Sequence, residues 1–135
     1  MIDDGETPQV LIVDDEPRNL DVLEVMLEGI NCGFVRANGA EEALLAVVRH
    51  DFAALVIDIK MPGMNGIELA TMIKQRRRSH HVPILLLTAH TVDEGDLLLG
   101  YGAGAVDYLS KPIRVAELVG ALERGAASMT RRGTS

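Results

Sequence analysis

Short, fully apolar runs alternate along this chain with longer segments whose apolar residues recur at helical spacing. The runs at residues 10–13, 55–57 and 84–87 contain no polar side chain. A strand that is apolar on both faces is typical of a parallel sheet covered by helices on both sides. Weaker strand patterns at residues 34–37 and 105–109 complete five repeats of a strand followed by a helix. The alternation therefore predicts an α/β fold with a parallel sheet.

The predicted fold is a doubly wound, five-stranded parallel sheet with the strand order 2-1-3-4-5, an order common in such folds. One domain over residues 9–127 is expected, with residues 1–8 and 128–135 as loose ends. The helices are predicted at residues 17–29, 41–49, 67–77, 92–99 and 115–127, the first beginning at a favourable Pro17. The basic run Lys74, Arg76, Arg77 and Arg78 is interpreted as offsetting the negative end of the third helix dipole.

Composition narrows the function classes. Twenty acidic residues against thirteen basic ones give a formal charge of −7, which disfavours direct nucleic-acid binding. The single cysteine, Cys32, excludes an internal disulfide and agrees with a reducing compartment. No uncharged apolar run approaches the roughly 18 residues of a membrane span. We therefore expect a cytoplasmic protein that does not bind a membrane.

Polar residues follow the predicted strands at the edge where a doubly wound sheet binds its ligands. Asp14 and Asp15 follow the first strand, Asp58 the third, Thr88 the fourth and Lys111 the fifth. Neighbouring carboxylates repel one another unless a cation intervenes, and several carboxylate oxygens suit Mg²⁺. A lysine and a hydroxyl can then contact a phosphoryl group, and a carboxylate can itself be the nucleophile. The pattern favours magnesium-dependent phosphoryl chemistry.

Four segments together carry a resemblance to a known family. They are Leu-Ile-Val-Asp-Asp-Glu at residues 11–16, Val-Ile-Asp-Ile-Lys-Met-Pro-Gly-Met-Asn-Gly at 56–66, Leu-Thr-Ala at 87–89 and Tyr-Leu-Ser-Lys-Pro at 108–112. In this order and spacing they resemble the receiver domain of the response regulators of two-component signal transduction. The resemblance spans about residues 9–127 and implies a flavodoxin-like (βα)5 fold.

The resemblance also implies the chemistry of the acidic residues. Asp58 matches the phosphoacceptor, which takes a phosphoryl group from the phosphohistidine of a histidine kinase or a phosphotransfer protein. Asp14 and Asp15 match the metal-binding pair, and the backbone carbonyl of Lys60 matches a further ligand. The implied cofactor is Mg²⁺, held by these residues together with Asp58.

The remaining positions match residues that act after phosphorylation. Thr88 and Lys111 match the residues that contact the phosphoryl group. Tyr108 matches an aromatic switch residue whose rotation accompanies the movement of Thr88. Lys60 and His90 match two variable positions associated with the rate of dephosphorylation, and each lies two residues beyond a site residue.

The expected function is a phosphorylation-controlled signalling switch, a phosphoacceptor with self-catalysed phosphotransfer and slow autodephosphorylation rather than an enzyme. Phosphorylation is expected to change partner binding on the face formed by the fourth and fifth strands. The partner is a downstream protein or an attached output domain, and a homodimer is compatible with the pattern. The chain is either a stand-alone receiver or one cut from a hybrid histidine kinase or another larger regulator.

Three other functions remain as alternatives. A magnesium phosphohydrolase would use Asp58 as a transient nucleophile, but it would need a substrate pocket or cap. A flavodoxin-like cofactor binder would need phosphate-binding donors after the first strand, where Asp14-Asp15-Glu16 would repel phosphate. A docking module that works without phosphorylation is the third.

Overall fold

Five parallel strands form the sheet in the computed structural model, which describes residues 9–88, 105–110 and 113–123. The strands are β1 (Gln9–Val13), β2 (Gly33–Ala37), β3 (Ala54–Asp58), β4 (Ile84–Thr88) and β5 (Ala105–Ser110). Their order across the sheet is β2-β1-β3-β4-β5, and every neighbouring pair is parallel. The predicted fold class and strand order are confirmed.

Three of the described helices connect successive strands, and a fourth follows β5. They are α1 (Pro17–Gly29), α2 (Ala40–Arg49), α3 (Gly66–Gln75) and a helix over residues 115–123. The helix predicted at residues 92–99, and the end of the last predicted helix beyond residue 123, lie outside the described residues. None of the helices in the described ranges has the length and apolar character needed to cross a bilayer.

Local sequence signals fix where α1 and α3 begin. Pro17 occupies the start of α1, and the Glu16 side chain accepts a hydrogen bond from the backbone N–H of Arg18. At α3 the Asn65 side chain accepts from the Glu68 N–H at 2.9 Å, and the Glu68 side chain accepts from the Asn65 N–H at 2.9 Å. This reciprocal capping box satisfies two backbone donors that the helix leaves unpaired.

The predicted end of α3 is wrong, because the helix stops at Gln75 and the three arginines Arg76, Arg77 and Arg78 lie beyond it. The Ser79 hydroxyl donates to the Ile73 carbonyl at 2.7 Å, and Lys74 Nζ donates to the His80 carbonyl at 2.9 Å. These bonds satisfy carbonyls while the chain turns back toward β4. Of the basic run, only Lys74 lies in the last turn of α3.

The core consists of two layers, one on each face of the sheet. One layer packs buried residues of α2 and α3 against the sheet, and the other packs buried residues of α1 and the 115–123 helix. All five residues of β3 are buried. With both faces covered, the carboxyl edge of the sheet is where polar side chains emerge from the central strands.

Candidate functional site

Three carboxylates meet at the carboxyl edge of the sheet. Asp14 follows β1, Asp15 comes next, and Asp58 is the last residue of β3. β1 pairs with β3 so that Val13 lies opposite Ile57, which places the ends of both strands side by side. One oxygen of each carboxylate lies within 4.8 Å of the others. The structure therefore brings together the three acidic residues that the sequence singles out.

The surroundings of the three carboxylates differ. Asp14 has no exposed surface and Asp58 is 5% exposed, whereas Asp15 is open to solvent. The backbone holds Asp14 on two sides: its Oδ1 accepts from the Glu16 N–H at 3.0 Å, and its own N–H donates to the Ala37 carbonyl at 3.2 Å. The cluster thus consists of two buried carboxylates, those of Asp14 and Asp58, and one that faces solvent.

The donor set fits a hard divalent cation. Carboxylate oxygens are the ligand type that Mg²⁺ prefers, and three of them lie within 4.8 Å of one another. Unit charges 4.8 Å apart repel by about 3.5 kcal/mol at an effective dielectric constant of about 20. A divalent cation between the carboxylates would convert this repulsion into attraction.

The loop after β3 closes tightly on the end of that strand. The Ile59 N–H donates to the Leu87 carbonyl at 3.0 Å, and the Gly66 N–H donates to the Ile59 carbonyl at 2.8 Å. A Cβ on Gly66 would collide with the backbone carbonyl oxygen of Asp58. Gly63 has a φ of +76°, a left-handed conformation that glycine adopts without strain. Lys60 is exposed in this loop.

Gly66 is the site-positioning residue that the sequence analysis missed. The capping pattern of Asn65 and Glu68 could have located the helix start. The close approach to Asp58 is a tertiary contact, and the local pattern around Gly66 carries no signal for it.

Two of the other predicted site residues are placed by the structure. Thr88 ends β4, and Asp58 lies opposite Leu87 in the β3–β4 register, so Thr88 emerges at the same edge as the acidic cluster. Tyr108 lies in β5 opposite Leu86, and both Thr88 and Tyr108 are half-buried. The predicted residues Lys111 and His90 lie outside the described residues.

The fold and this site place the chain among doubly wound α/β proteins that carry acidic residues at the carboxyl edge of the sheet. A doubly wound sheet reverses its winding between β1 and β3, and the crevice at that point is where such proteins bind ligands. Here the crevice is lined by acidic groups suited to a cation rather than by glycine-rich, phosphate-binding turns.

Comparisons with known proteins agree with this fold and with the acidic site. The family model described as "Response regulator receiver domain" matches residues 10–123. The DNA-binding response regulator MtrA of Mycolicibacterium smegmatis is 36% identical over 111 residues, which is 82% of this chain and 47% of MtrA.

Two solved structures are similar over nearly their whole length. The chemotaxis protein CheY4 of Vibrio cholerae has a TM-score of 0.82 and 27% identity, covering 87% of this chain and 98% of that chain. The receiver domain of a sensor histidine kinase from Pseudomonas aeruginosa has a TM-score of 0.81 and 30% identity, covering 90% of this chain and 98% of that chain. The latter structure has a magnesium ion coordinated in its active site cleft.

This chain belongs to the response regulator receiver domain family of two-component signalling. The resemblance found in the sequence motifs is therefore confirmed. The chain spans about half the length, or less, of curated relatives such as MtrA (47%) and the sensor kinase GacS of Pseudomonas protegens (13%).

Proposed function

We propose that this chain is a phosphorylation-controlled switch in which Asp58 accepts a phosphoryl group from the phosphohistidine of a histidine kinase or phosphotransfer protein. The observation that carries the proposal is the cluster of Asp14, Asp15 and Asp58 at the end of β1 and β3. Family membership favours this role over a phosphohydrolase or a cofactor binder. We propose a cytoplasmic location, where such kinases present their phosphohistidine.

In the proposed transfer, a carboxylate oxygen of Asp58 attacks phosphorus. The new O–P bond forms as the P–N bond of the phosphohistidine breaks, and the electron pair of that bond returns to the imidazole nitrogen. The backbone bonds at the end of β3 and in the loop after it support this role, because they fix the position of the Asp58 backbone at the crevice. Positioning of this kind, together with charge stabilisation, accounts for most catalysis of phosphoryl transfer.

The carboxylates of Asp14, Asp15 and Asp58 would hold Mg²⁺. The backbone carbonyl of Lys60 is the proposed further ligand. When bound, the ion supplies positive charge that stabilises the phosphoryl oxygens. Buried Asp14 accepts a hydrogen bond from the Glu16 N–H, which restricts the orientation of its carboxylate at the proposed site. Exposed Asp15 leaves a side of the site open to an entering donor.

The proposed response begins at Thr88 and Lys111, which would contact the phosphoryl oxygens through a hydroxyl and an ammonium group. Thr88 gains this partner only in the phosphorylated state, so phosphorylation favours the conformation in which its hydroxyl faces Asp58. Half-buried Tyr108, on the neighbouring strand, would then reorient and change the β4–β5 face for partners. The phosphorylated state would end by slow autodephosphorylation.

Phosphorylation by a small phosphodonor tests the proposal directly. We expect intact-mass spectrometry to show one phosphate adduct in the presence of Mg²⁺, and no adduct on Asp58→Ala. Adding a chelator is expected to abolish labelling, because without the divalent cation the anionic donor is repelled by the acidic cluster. An adduct that persists in Asp58→Ala, or labelling that is undiminished without metal, would refute the proposal.

Thr88 and Tyr108 are expected to act as one unit. Hydrogen exchange of β4 and β5 is measured with and without phosphodonor in Thr88→Ala, Tyr108→Ala and the double variant. Each single variant should lose most of the phosphorylation-dependent change in protection, and the double variant little more, with a coupling of about 0.5–3 kcal/mol. Additive losses would mean that the two positions respond independently.

Lys60 and His90 are expected to slow loss of the phosphate without affecting its formation. Lys60 is exposed in the loop beyond Asp58, where a long side chain can obstruct the in-line approach of water to phosphorus. Decay of the adduct is followed after removal of the donor in Lys60→Ala, His90→Ala and the double variant. We expect faster decay at unchanged labelling, with exposed Arg18→Ala as the control for loss of a cation. Decay curves that match the parent would exclude the role.

A further inference from the structure

The end of α3 and the loop that leads from it to β4 concentrate positive charge at the edge of the sheet opposite Asp58. Residues 74–81 contain four of the thirteen basic residues and two histidines, without an acidic residue. Arg76, Arg77, Arg78, His80 and His81 are all exposed. This charge stands out in a chain whose formal net charge is −7.

Internal hydrogen bonds hold the loop in a defined shape. The Ser79 N–H donates to the Arg76 carbonyl at 3.1 Å, and the Val82 N–H donates to the Ser79 carbonyl at 3.2 Å. His80 Nδ1 donates to the Arg77 carbonyl at 2.7 Å, and Lys74 Nζ donates to the carbonyls of His80 and Val82. The arginines are therefore presented by an ordered turn rather than by the helix end that the sequence predicts.

A cleft of about 460 Å³ lies beneath this turn. Its rim includes Arg78, His81 and Asp51, and its base is apolar, formed by Val47, Phe52, Leu55 and Val82. We call this feature the amino-edge cleft, since Leu55 lies near the start of β3 and Val82 just precedes β4. An apolar base beneath a turn that carries three exposed arginines suits a ligand that carries both an apolar group and negative charge.

The rim already shows how it binds a carboxylate. Arg78 Nε donates to one oxygen of Asp51 at 3.1 Å, and Nη2 donates to the other at 3.4 Å. This two-pronged contact is the geometry in which a guanidinium recognises a carboxylate. Neither Arg76 nor Arg77 has a carboxylate partner within the described ranges. Two exposed arginines, in the same turn that contributes Arg78 and Ser79 to the cleft, are thus available to an incoming acidic segment.

We propose that the amino-edge cleft and its arginines form a docking surface for a short acidic peptide segment of a partner protein, with an apolar side chain seated in the cleft. Two observations favour a peptide over nucleic acid. The phenylalanine at this cleft, Phe52, is only 6% exposed, so its ring offers no stacking surface for a base. The net charge of −7 also repels a long polyanion, whereas a short segment feels mainly the charges within about 10 Å.

The test uses a fluorescent peptide with a central leucine flanked on both sides by glutamates, and anisotropy as the readout. We expect saturable binding that Arg76→Gln/Arg77→Gln weakens about five- to tenfold, since each exposed ion pair contributes about 0.5–0.7 kcal/mol. The matched control is Arg18→Gln/Arg114→Gln, which removes the same charge from exposed positions elsewhere and should leave the affinity unchanged. Equal losses in both double variants would reduce the effect to net charge and overturn the proposal.

Three further arms separate the alternatives. Replacing the central leucine of the peptide by glycine should weaken binding, and an unchanged affinity would overturn the role of the cleft. A thymidine oligonucleotide that binds as tightly as the peptide, and is released by the same arginine variant, would assign the surface to nucleic acid instead. Self-association of the protein that depends on Arg76 and Arg77 would assign it to a second copy. Asp58→Asn should bind the peptide normally, which keeps this result independent of the phosphorylation test.

Discussion

Gly66→Ala is expected to lower the free energy of unfolding by about 1–3 kcal/mol, since the added methyl group overpacks a closed site. The new Cβ would collide with the backbone carbonyl oxygen of Asp58 and with the Ile59 backbone, neither of which can move aside by changing rotamer. Any relief must shift the end of β3 or the start of α3. We therefore also expect slower phosphate labelling, because either shift moves the Asp58 carboxylate.

The measurements for Gly66→Ala are urea unfolding and the initial rate of labelling by a small phosphodonor. Gly29→Ala is the matched control, because a Cβ there meets nothing within 4 Å. Gly29 is the last residue of α1, where alanine should be neutral or should stabilise by up to about 1 kcal/mol. Parent-like stability of Gly66→Ala would show that the loop adapts freely, and would remove Gly66 as a positioning residue.

Asp14→Asn is expected to stabilise the metal-free protein by about 1–3 kcal/mol, since it removes one of three mutually repelling carboxylates. The substitution keeps an oxygen that can accept from the Glu16 N–H, so the local hydrogen bond survives. The same change removes a charged ligand from the proposed magnesium site. The variant should therefore gain stability without metal and lose its response to metal.

Thermal unfolding with and without Mg²⁺ measures both effects of Asp14→Asn. A cation at about one hundred times its dissociation constant adds about 2.7 kcal/mol to the parent, and the variant should show little of this increase. Glu28→Gln, an exposed position on α1, is the control for the loss of one negative charge. A metal-free variant that is less stable than the parent would contradict the expected repulsion between the carboxylates. A variant that keeps the full response to Mg²⁺ would show that Asp14 is not needed to bind the cation.

The strands and the acidic site could be predicted because both depend on local sequence. A fully apolar run such as residues 84–87 is typical of a strand buried between two helical layers, and the first polar residue after it marks the carboxyl edge. Asp14 and Asp58 were located in this way, and the structure brings their carboxylates together. Their roles in phosphotransfer stay a prediction, as do those of Lys111 and His90.

The end of α3 could not be predicted in the same way. Arginine has a high helix propensity, so the local pattern gives no reason for the helix to stop before Arg76. The chain turns there because Ser79 and Lys74 form side-chain bonds to carbonyls several residues away. Bonds of this kind, like the close approach of Gly66 to Asp58, depend on the folded backbone rather than on local preference.

The two core layers on either side of the sheet also affect how the sequence of such a chain can change in evolution. Along β1, Leu11 and Val13 belong to the layer of α2 and α3, whereas Val10 and Ile12 belong to that of α1 and the 115–123 helix. The sheet therefore acts as a partition, and a change of side-chain volume on one side can be compensated by residues on that same side. The side chains of each layer can therefore change in evolution, or be redesigned, independently of those in the other layer. The strand ends that carry the acidic residues keep their positions, because the backbone of the sheet sets them.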